Sequence, residues 1–211
     1  MKKAIIYDLD YTLFDPNTLD KTLFQSAFAI LKEVEQTTDS SFTDLKDAFF
    51  SHSLKTFIEQ YLNEESKKRF IQSLNAITAL SKLETYSDGY IVQQIDTINY
   101  LVTSGPKQFQ NQKIDALGIR DWFSEIYVDD PIAPKWKNKE EIMRLILKKH
   151  NHDVSEVLVV GDNPESEIQA GNNIGIETIQ ILRNGIEASE KATYRIKNLR
   201  ELHNYIIQQN V

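Results

Sequence analysis

Ala4-Ile5-Ile6-Tyr7-Asp8-Leu9-Asp10-Tyr11-Thr12-Leu13-Phe14-Asp15 decides how the rest of the chain is read. The apolar run from Ala4 to Tyr7 has the length and composition of a fully buried strand. Two carboxylates follow it with one residue between them. Extended backbone points Asp8 and Asp10 to the same side only while the strand persists. Two like charges in one apolar core would cost too much unless a cation or donors compensate them, so the chain is expected to turn there. Paired carboxylates at the end of a central strand mark a site rather than packing.

Outward from this stretch the hydrophobic period changes. Asp15-Pro16-Asn17 reads as a turn. Leu19, Leu23, Phe24, Ala27, Phe28, Leu31 and Val34 then recur at helical spacing, with Asp20 placed to cap, and predict an amphipathic helix over 19–36. Leu45, Phe49 and Phe50 suggest a short helix, Leu54, Phe57, Ile58, Tyr61 and Leu62 another, and Phe70, Ile71, Leu74, Ile77 and Leu80 a fourth. Residues 17–83 therefore read as an all-helical module. Beyond it, strands are expected over 98–102, 126–128, 157–160 and, last in the core, 177–182. Helices are expected over 108–117, 139–149, 165–172 and 199–208. This alternation predicts an α/β fold with a mainly parallel sheet and right-handed crossovers. Its core is 1–16 with 84–211, and 17–83 is inserted as a lid. Ligands in such sheets lie beyond the carboxyl ends of the strands. There the parallel reading gathers Asp8/Asp10, Thr103/Ser104, Asp129/Asp130 and Gly161/Asp162.

Composition narrows the function. The 211 residues carry a formal net charge of −7, which argues against a nucleic-acid surface. A small anionic ligand is still compatible, because a helix N-terminus, a lysine and a metal create local attraction. The chain has no cysteine, so disulfide and thiolate chemistry are excluded. Met-Lys-Lys resembles the start of a signal peptide, but carboxylates at 8 and 10 interrupt the apolar stretch too early. With no run long enough to span a membrane, a soluble cytoplasmic protein is expected. The default assembly is a monomer, with a homodimer as the alternative.

Four segments in order carry a resemblance: Asp8-Leu9-Asp10-Tyr11-Thr12-Leu13; Leu101-Val102-Thr103-Ser104-Gly105; a lysine among Lys135, Lys137 and Lys139; and Val159-Val160-Gly161-Asp162-Asn163-Pro164-Glu165-Ser166-Glu167. Over essentially its whole length the chain resembles the haloacid dehalogenase-like (HAD) hydrolases, in the phosphatase branch with a helical C1-type cap. The resemblance implies a Rossmann-like core, Mg2+ as cofactor and a small phosphorylated metabolite as substrate, such as a nucleotide or sugar phosphate.

It implies Asp8 as the nucleophile that forms an aspartyl-phosphate, with metal ligation or turn capping as the plain alternative. Asp10 is the general acid/base, and a carboxylate at that position separates phosphatases from dehalogenases in the family. Thr12 fixes the turn. Thr103 and the N–H groups of Ser104 and Gly105 would cradle phosphate. Lys139 is the favoured lysine, ahead of Lys137. Asp8, the Asp10 carbonyl and Asp162 would hold the metal. Glu167 stands where the family commonly has an aspartate, so it ligates directly, acts through water or holds the lysine. Asn163 would bond near the phosphate or the nucleophile. Phosphoglucomutase-like transfer and a non-catalytic Mg2+ or phosphate-binding module are the alternatives to hydrolysis. Elsewhere packing is expected to explain the residues: Trp122, Phe123, Trp136 and the phenylalanines of 17–83 as core, and His52, His150, His152 and His203 as peripheral.

Overall fold

The structure is a computed structural model that describes residues 1–51, 54–78, 80–131, 133 and 135–209. His52 lies outside the described residues. Six strands form one parallel sheet: β1 (Ala4–Tyr7), β2 (Ile98–Ser104), β3 (Glu125–Asp129), β4 (Val157–Gly161), β5 (Glu177–Ile181) and β6 (Tyr194–Ile196). Their order is β3-β2-β1-β4-β5-β6, with every neighbouring pair parallel. Eight α-helices are described: α1 (Gln25–Glu35), α2 (Phe42–Ser51), α3 (Leu54–Tyr61), α4 (Glu64–Asn75), α5 (Lys107–Leu117), α6 (Lys139–His150), α7 (Glu167–Ile174) and α8 (Leu199–Gln209).

All four residues of β1 are buried because the strand is central in the sheet and covered on both faces. Alternate side chains divide between two apolar layers. Ile5 and Tyr7 join Leu101, Leu158 and Val160 on one face, with Ile114 of α5 and Leu202 of α8. Ala4 and Ile6 join Tyr100, Val102 and Val159 on the other, with Ile142, Met143 and Ile146 of α6. The register sets Tyr7 level with Leu101 of β2 and Val160 of β4. The chain runs outward from β1 through β2 to β3, then returns to β4, so the crevice at the carboxyl ends opens between β1 and β4.

Helices α1–α4 all fall between β1 and β2, a stretch with no strand among its described residues. Edge-to-face phenylalanines bind them: Phe49 stands 5.5 Å from Phe57 and 5.2 Å from Phe70, centroid to centroid. The return path is pinned where it started, since Tyr86 N–H donates to the Leu13 carbonyl at 2.9 Å. No described helix is long and apolar enough to cross a membrane.

Several boundaries differ from the sequence reading. The helix expected over 19–36 begins only at Gln25, because Asp20 caps a separate 3-10 turn, Lys21–Phe24, by accepting from Thr22 N–H at 2.8 Å. The fourth helix ends at Asn75; Ile77 is buried in the chain beyond it, and helical spacing there was fortuitous. The helix expected from Glu165 starts at Glu167, because Asn163 Oδ1 accepts from Glu165 N–H at 2.9 Å and makes an Asx turn first. The strand 177–182 is not the last: β6 follows it, too short and with too few buried residues to show a period.

Candidate active site

The site begins where β1 runs out. Asp8 N–H still donates to the Val160 carbonyl at 3.0 Å, and the chain then folds back so that Leu13 N–H and Phe14 N–H both reach the Leu9 carbonyl, at 2.8 and 3.1 Å. Tyr11 takes the left-handed conformation, φ +52°, which costs a residue with a Cβ about 1–2 kcal/mol. Arg183, just past β5, holds this turn from behind. Its Nε and Nη2 donate to the Thr12 carbonyl at 3.2 and 2.8 Å, and it pairs with both oxygens of Asp88 at 3.0 and 2.9 Å. Thr12 itself is fully buried, and its hydroxyl donates to Asp162 Oδ1 at 3.4 Å.

Asn138 and Glu141 form a capping box at the start of α6, which places Lys139 in the first turn and turns it inward. Lys139 Nζ lies 3.0 Å from Asp8 Oδ1 and 2.8 Å from Glu167 Oε2. Lys135 and Lys137 are exposed. Glu167 is fully engaged, because its other oxygen accepts from Asn163 N–H at 2.6 Å. Gly161 makes this possible: a Cβ there would collide with the Glu167 side chain. Gln180, fully buried on β5, donates to the Asp162 carbonyl at 2.9 Å and fixes that loop.

The electrostatics are lopsided. Burial pushes the Asp8 carboxyl up to about 7 against the pull of Lys139, with Glu167 and Asp10 adding repulsion. Burial likewise pushes Asp162 up to about 9, with Glu167 and Asp8 adding to the rise. Burial alone would lower Lys139, but the carboxylates of Asp8 and Glu167 hold it above its ordinary value. Asp8 Oδ1 is buried and, despite the ion pair, accepts no well-directed hydrogen bond. Asp8, Asp162 and Glu167 each bring an oxygen within 4.8 Å of the others. An all-oxygen set of three buried carboxylates, with one ammonium shared between two of them, fits a hard divalent cation. Within this set Glu167 also binds Lys139 and the Asn163 N–H, and Asp8 shares Lys139.

Asp10 lies beside this cluster, and Lys113 of α5 reaches it, with Nζ 2.7 and 2.6 Å from its two oxygens. Gln110 Nε2 donates to Thr103 Oγ1 at 3.1 Å, to Asp10 Oδ2 at 3.3 Å and to the Ser104 carbonyl. One expectation needs correction here. The Gly105 N–H donates to the Asp129 carbonyl at 3.0 Å, extending the β2–β3 ladder, so it is not an open donor for phosphate. Gly105, at φ +141°, instead supplies room, since a Cβ would come within 2.9 Å of Gln110 Nε2. Asp129 accepts from the Ser104 hydroxyl at 3.0 Å and from Trp136 Nε1 at 2.5 Å, and Asp130 accepts from Lys107 N–H at 3.1 Å. These two acids shape the loop after β2.

A cavity of about 660 Å³ joins these groups. Asp8, Asp10, Thr103, Lys113, Lys139, Asp162 and Asn163 line its polar end, and Phe24, Phe49, Phe50, Leu54, Leu74 and Phe109 its apolar end. Phe28, Phe57 and Tyr61 pack behind the wall. His150 and His152 lie elsewhere, stacked beside Tyr100, whose hydroxyl lies 3.0 Å from His152 Nε2. Sequence reasoning missed Lys113, Gln110, Gln180 and Arg183. For the first two a signal existed: Phe109, Gln110, Lys113 and Ile114 are the buried positions of α5, so two polar residues sit on its inward stripe.

The site thus sets an aspartate at the end of the central strand of a parallel sheet, with a lysine on that aspartate and an acidic cluster beside it. The chain belongs to the haloacid dehalogenase-like hydrolase family, whose model matches residues 5–181. It is 29% identical over 104 residues to the pyrimidine 5'-nucleotidase YjjG of Escherichia coli, a match covering 48% of this chain and about half (46%) of that relative's length. It is 26% identical over 198 residues to the glyceraldehyde 3-phosphate phosphatase of Pyrococcus abyssi, covering 85% of this chain and 81% of that one. Among solved structures, a haloacid dehalogenase-like hydrolase of Streptococcus pneumoniae superposes with a TM-score of 0.69 at 17% identity, covering 97% and 98% of the two chains. A HAD phosphatase of Thermococcus onnurineus superposes at 0.65 with 22% identity, covering 97% of each. Both share the fold.

Proposed function

We propose that this chain is a Mg2+-dependent phosphatase that hydrolyses a small-molecule phosphate monoester, a nucleotide or sugar phosphate, through an aspartyl-phosphate on Asp8. The observation that carries the reading is the ion pair of 3.0 Å between Asp8 and Lys139 at the floor of a cavity that Asp10 and Thr103 also line. An Asp8 oxygen bonds to phosphorus as the bond to the leaving oxygen breaks, and Asp10 gives that oxygen a proton. Asp10 then takes a proton from the water that attacks phosphorus, which releases inorganic phosphate and restores Asp8. Lys139 neutralises charge on Asp8 and the phosphoryl oxygens, and Glu167 and Asn163 hold the lysine side of the site in place. The Thr103 hydroxyl accepts from Gln110 and keeps its own proton to donate to a phosphate oxygen. A divalent cation held by Asp8, Asp162 and the Asp10 carbonyl would shield the phosphate's negative charge from the attacking carboxylate. Helices α1–α4 act as a cap, and their phenylalanines exclude water and take up the leaving group.

The names of the two relatives, a pyrimidine nucleotidase and a triose-phosphate phosphatase, support a small phosphorylated metabolite as substrate. Phosphate release from a panel of nucleotide, sugar and triose phosphates tests the reading. Activity is expected with Mg2+, to be lost with a chelator, and to be absent from Asp8→Asn. Full turnover by Asp8→Asn would overturn the assignment of the nucleophile. Transfer of phosphate to a second substrate site, with none reaching water, would favour a mutase.

A further inference from the structure

Of the two buried polar residues of α5, the hydrolase reading leaves Lys113 unused and uses Gln110 only through its bond to Thr103. Lys113 keeps 4% of its side-chain exposure and Asp10 keeps 27%, so the lysine is the more enclosed of the pair and Asp10 retains an open face. Asp10 lines the cavity, and that face is available to a substrate. Burying an ammonium costs several kcal/mol unless its pairing is good, and here one cation meets both oxygens of one carboxylate. Gln110, one turn earlier, ties three points together: Asp10, the Thr103 hydroxyl and the Ser104 carbonyl. The chain accommodates it with a glycine at 105 in a conformation that disfavours any side chain. Phe109 and Ile114 already dock α5 on the apolar layer.

Resting on the phosphatase reading above, we propose that Lys113 and Gln110 are positioning residues for proton transfer to the leaving group. Lys113 fixes the orientation of the Asp10 carboxyl through both of its oxygens, and Gln110 fixes its spacing from the phosphate-binding hydroxyl of Thr103. As the Asp8 oxygen bonds to phosphorus, the electron pair of the broken P–O bond goes to the leaving oxygen, which takes the Asp10 proton. The carboxylate then left on Asp10 is already faced by Lys113. In the second half-reaction Asp10 regains its proton from the attacking water. The pair therefore matters most for esters of alcohols, whose alkoxides leave poorly without a proton, and least for an aryl ester.

The test compares kcat/KM for p-nitrophenyl phosphate with that for the best-hydrolysed ester among glycerol 3-phosphate, ribose 5-phosphate and uridine 5'-phosphate. General acid catalysis contributes about 10²-fold or more, so Lys113→Met is expected to lose about that factor on the alkyl ester, through kcat more than KM. On the aryl ester the loss is expected to be below about tenfold, and Lys113→Arg is expected to recover most of the alkyl activity. Equal losses on both esters would overturn the proposal, because a purely structural role does not discriminate between leaving groups. A double-mutant cycle covers poor folding of Lys113→Met. Asp10→Asn alone leaves the Lys113 ammonium without its carboxylate, and the double variant leaves neither charge unpaired, so adding Lys113→Met to Asp10→Asn is expected to change kcat/KM little, and a further large loss would also overturn the proposal. A wild-type protein that released phosphate from none of these esters would remove the phosphatase reading itself. An active wild type with equal losses would remove only the positioning role.

Discussion

The two ends of the same strands treat charge in opposite ways. At the amino end, lysines and a histidine meet partly exposed carboxylates. Lys2 lies 2.7 Å from Glu177, Lys3 lies 2.5 Å from Glu156, and Lys149 and His150 both reach Glu125, at 2.7 and 3.0 Å. The carboxylates there keep about a quarter of their exposure, between 23% and 25%. At the carboxyl end Asp8, Asp162 and Glu167 are buried together, with the Lys139 ammonium shared by Asp8 and Glu167. Stability alone favours the first arrangement, since buried like charges push each other toward protonation. The second stores an electrostatic deficit that a cation and a phosphoryl group would fill, and deficits of this kind cluster at functional sites.

Removing the shared cation is the largest way to break that contrast. Lys139→Met is expected to abolish activity and to destabilise the metal-free protein at pH 8 by roughly 3–5 kcal/mol, measured by denaturant unfolding. Unchanged stability would mean that the carboxyl end carries no such deficit.

The next effect is a pH dependence. Burial holds Asp162 at about 9 in the folded protein against an ordinary value of 3.8, so between these values the folded state binds a proton that the unfolded chain does not. Stability from this group is therefore present at low pH and lost as pH rises through the window. Asp162→Asn has no such loss, so in the absence of metal its stability relative to wild type is expected to rise by about 2–4 kcal/mol between pH 5 and pH 8. Mg2+ is expected to raise the Tm of the wild type at pH 8 more than that of the variant. Parallel pH curves for the two proteins would contradict the assignment.

The smallest effect belongs to the amino end. Lys2→Met removes the ion pair with Glu177 and the bonds to the Ser155 and Val157 carbonyls. It is expected to cost about 1–2 kcal/mol and to leave kcat unchanged. A changed kcat would show that the two ends are coupled.

Much of this molecule was legible in sequence because its decisive signals are local. The unbroken apolar runs of β1 and β4 mark central strands, and each ends in the carboxylates that the sheet then brings together. β6 escaped because only Ile196 of its three residues is buried, which gives no period to read. Arg183 escaped because its partners lie far off in the chain: Asp88 is 95 residues away and Thr12 is 171. Lys113 is likewise 103 residues from Asp10, and a lysine in a polar helix reads as solvated until its place on the inward stripe is noticed. The Gly105 N–H was read from its loop alone, whereas its partner belongs to a neighbouring strand.

The most direct test of the account is to look for phosphate on Asp8. The Asp10→Asn protein, which lacks the base for the second step, is mixed with p-nitrophenyl phosphate and Mg2+, quenched in acid at short times and mapped by peptide mass spectrometry. The account predicts one phosphoryl group on the peptide that contains Asp8, formed in step with the first equivalent of nitrophenol. Nitrophenol release with phosphate on another residue, or with phosphate going straight to water and none on Asp8, would contradict it.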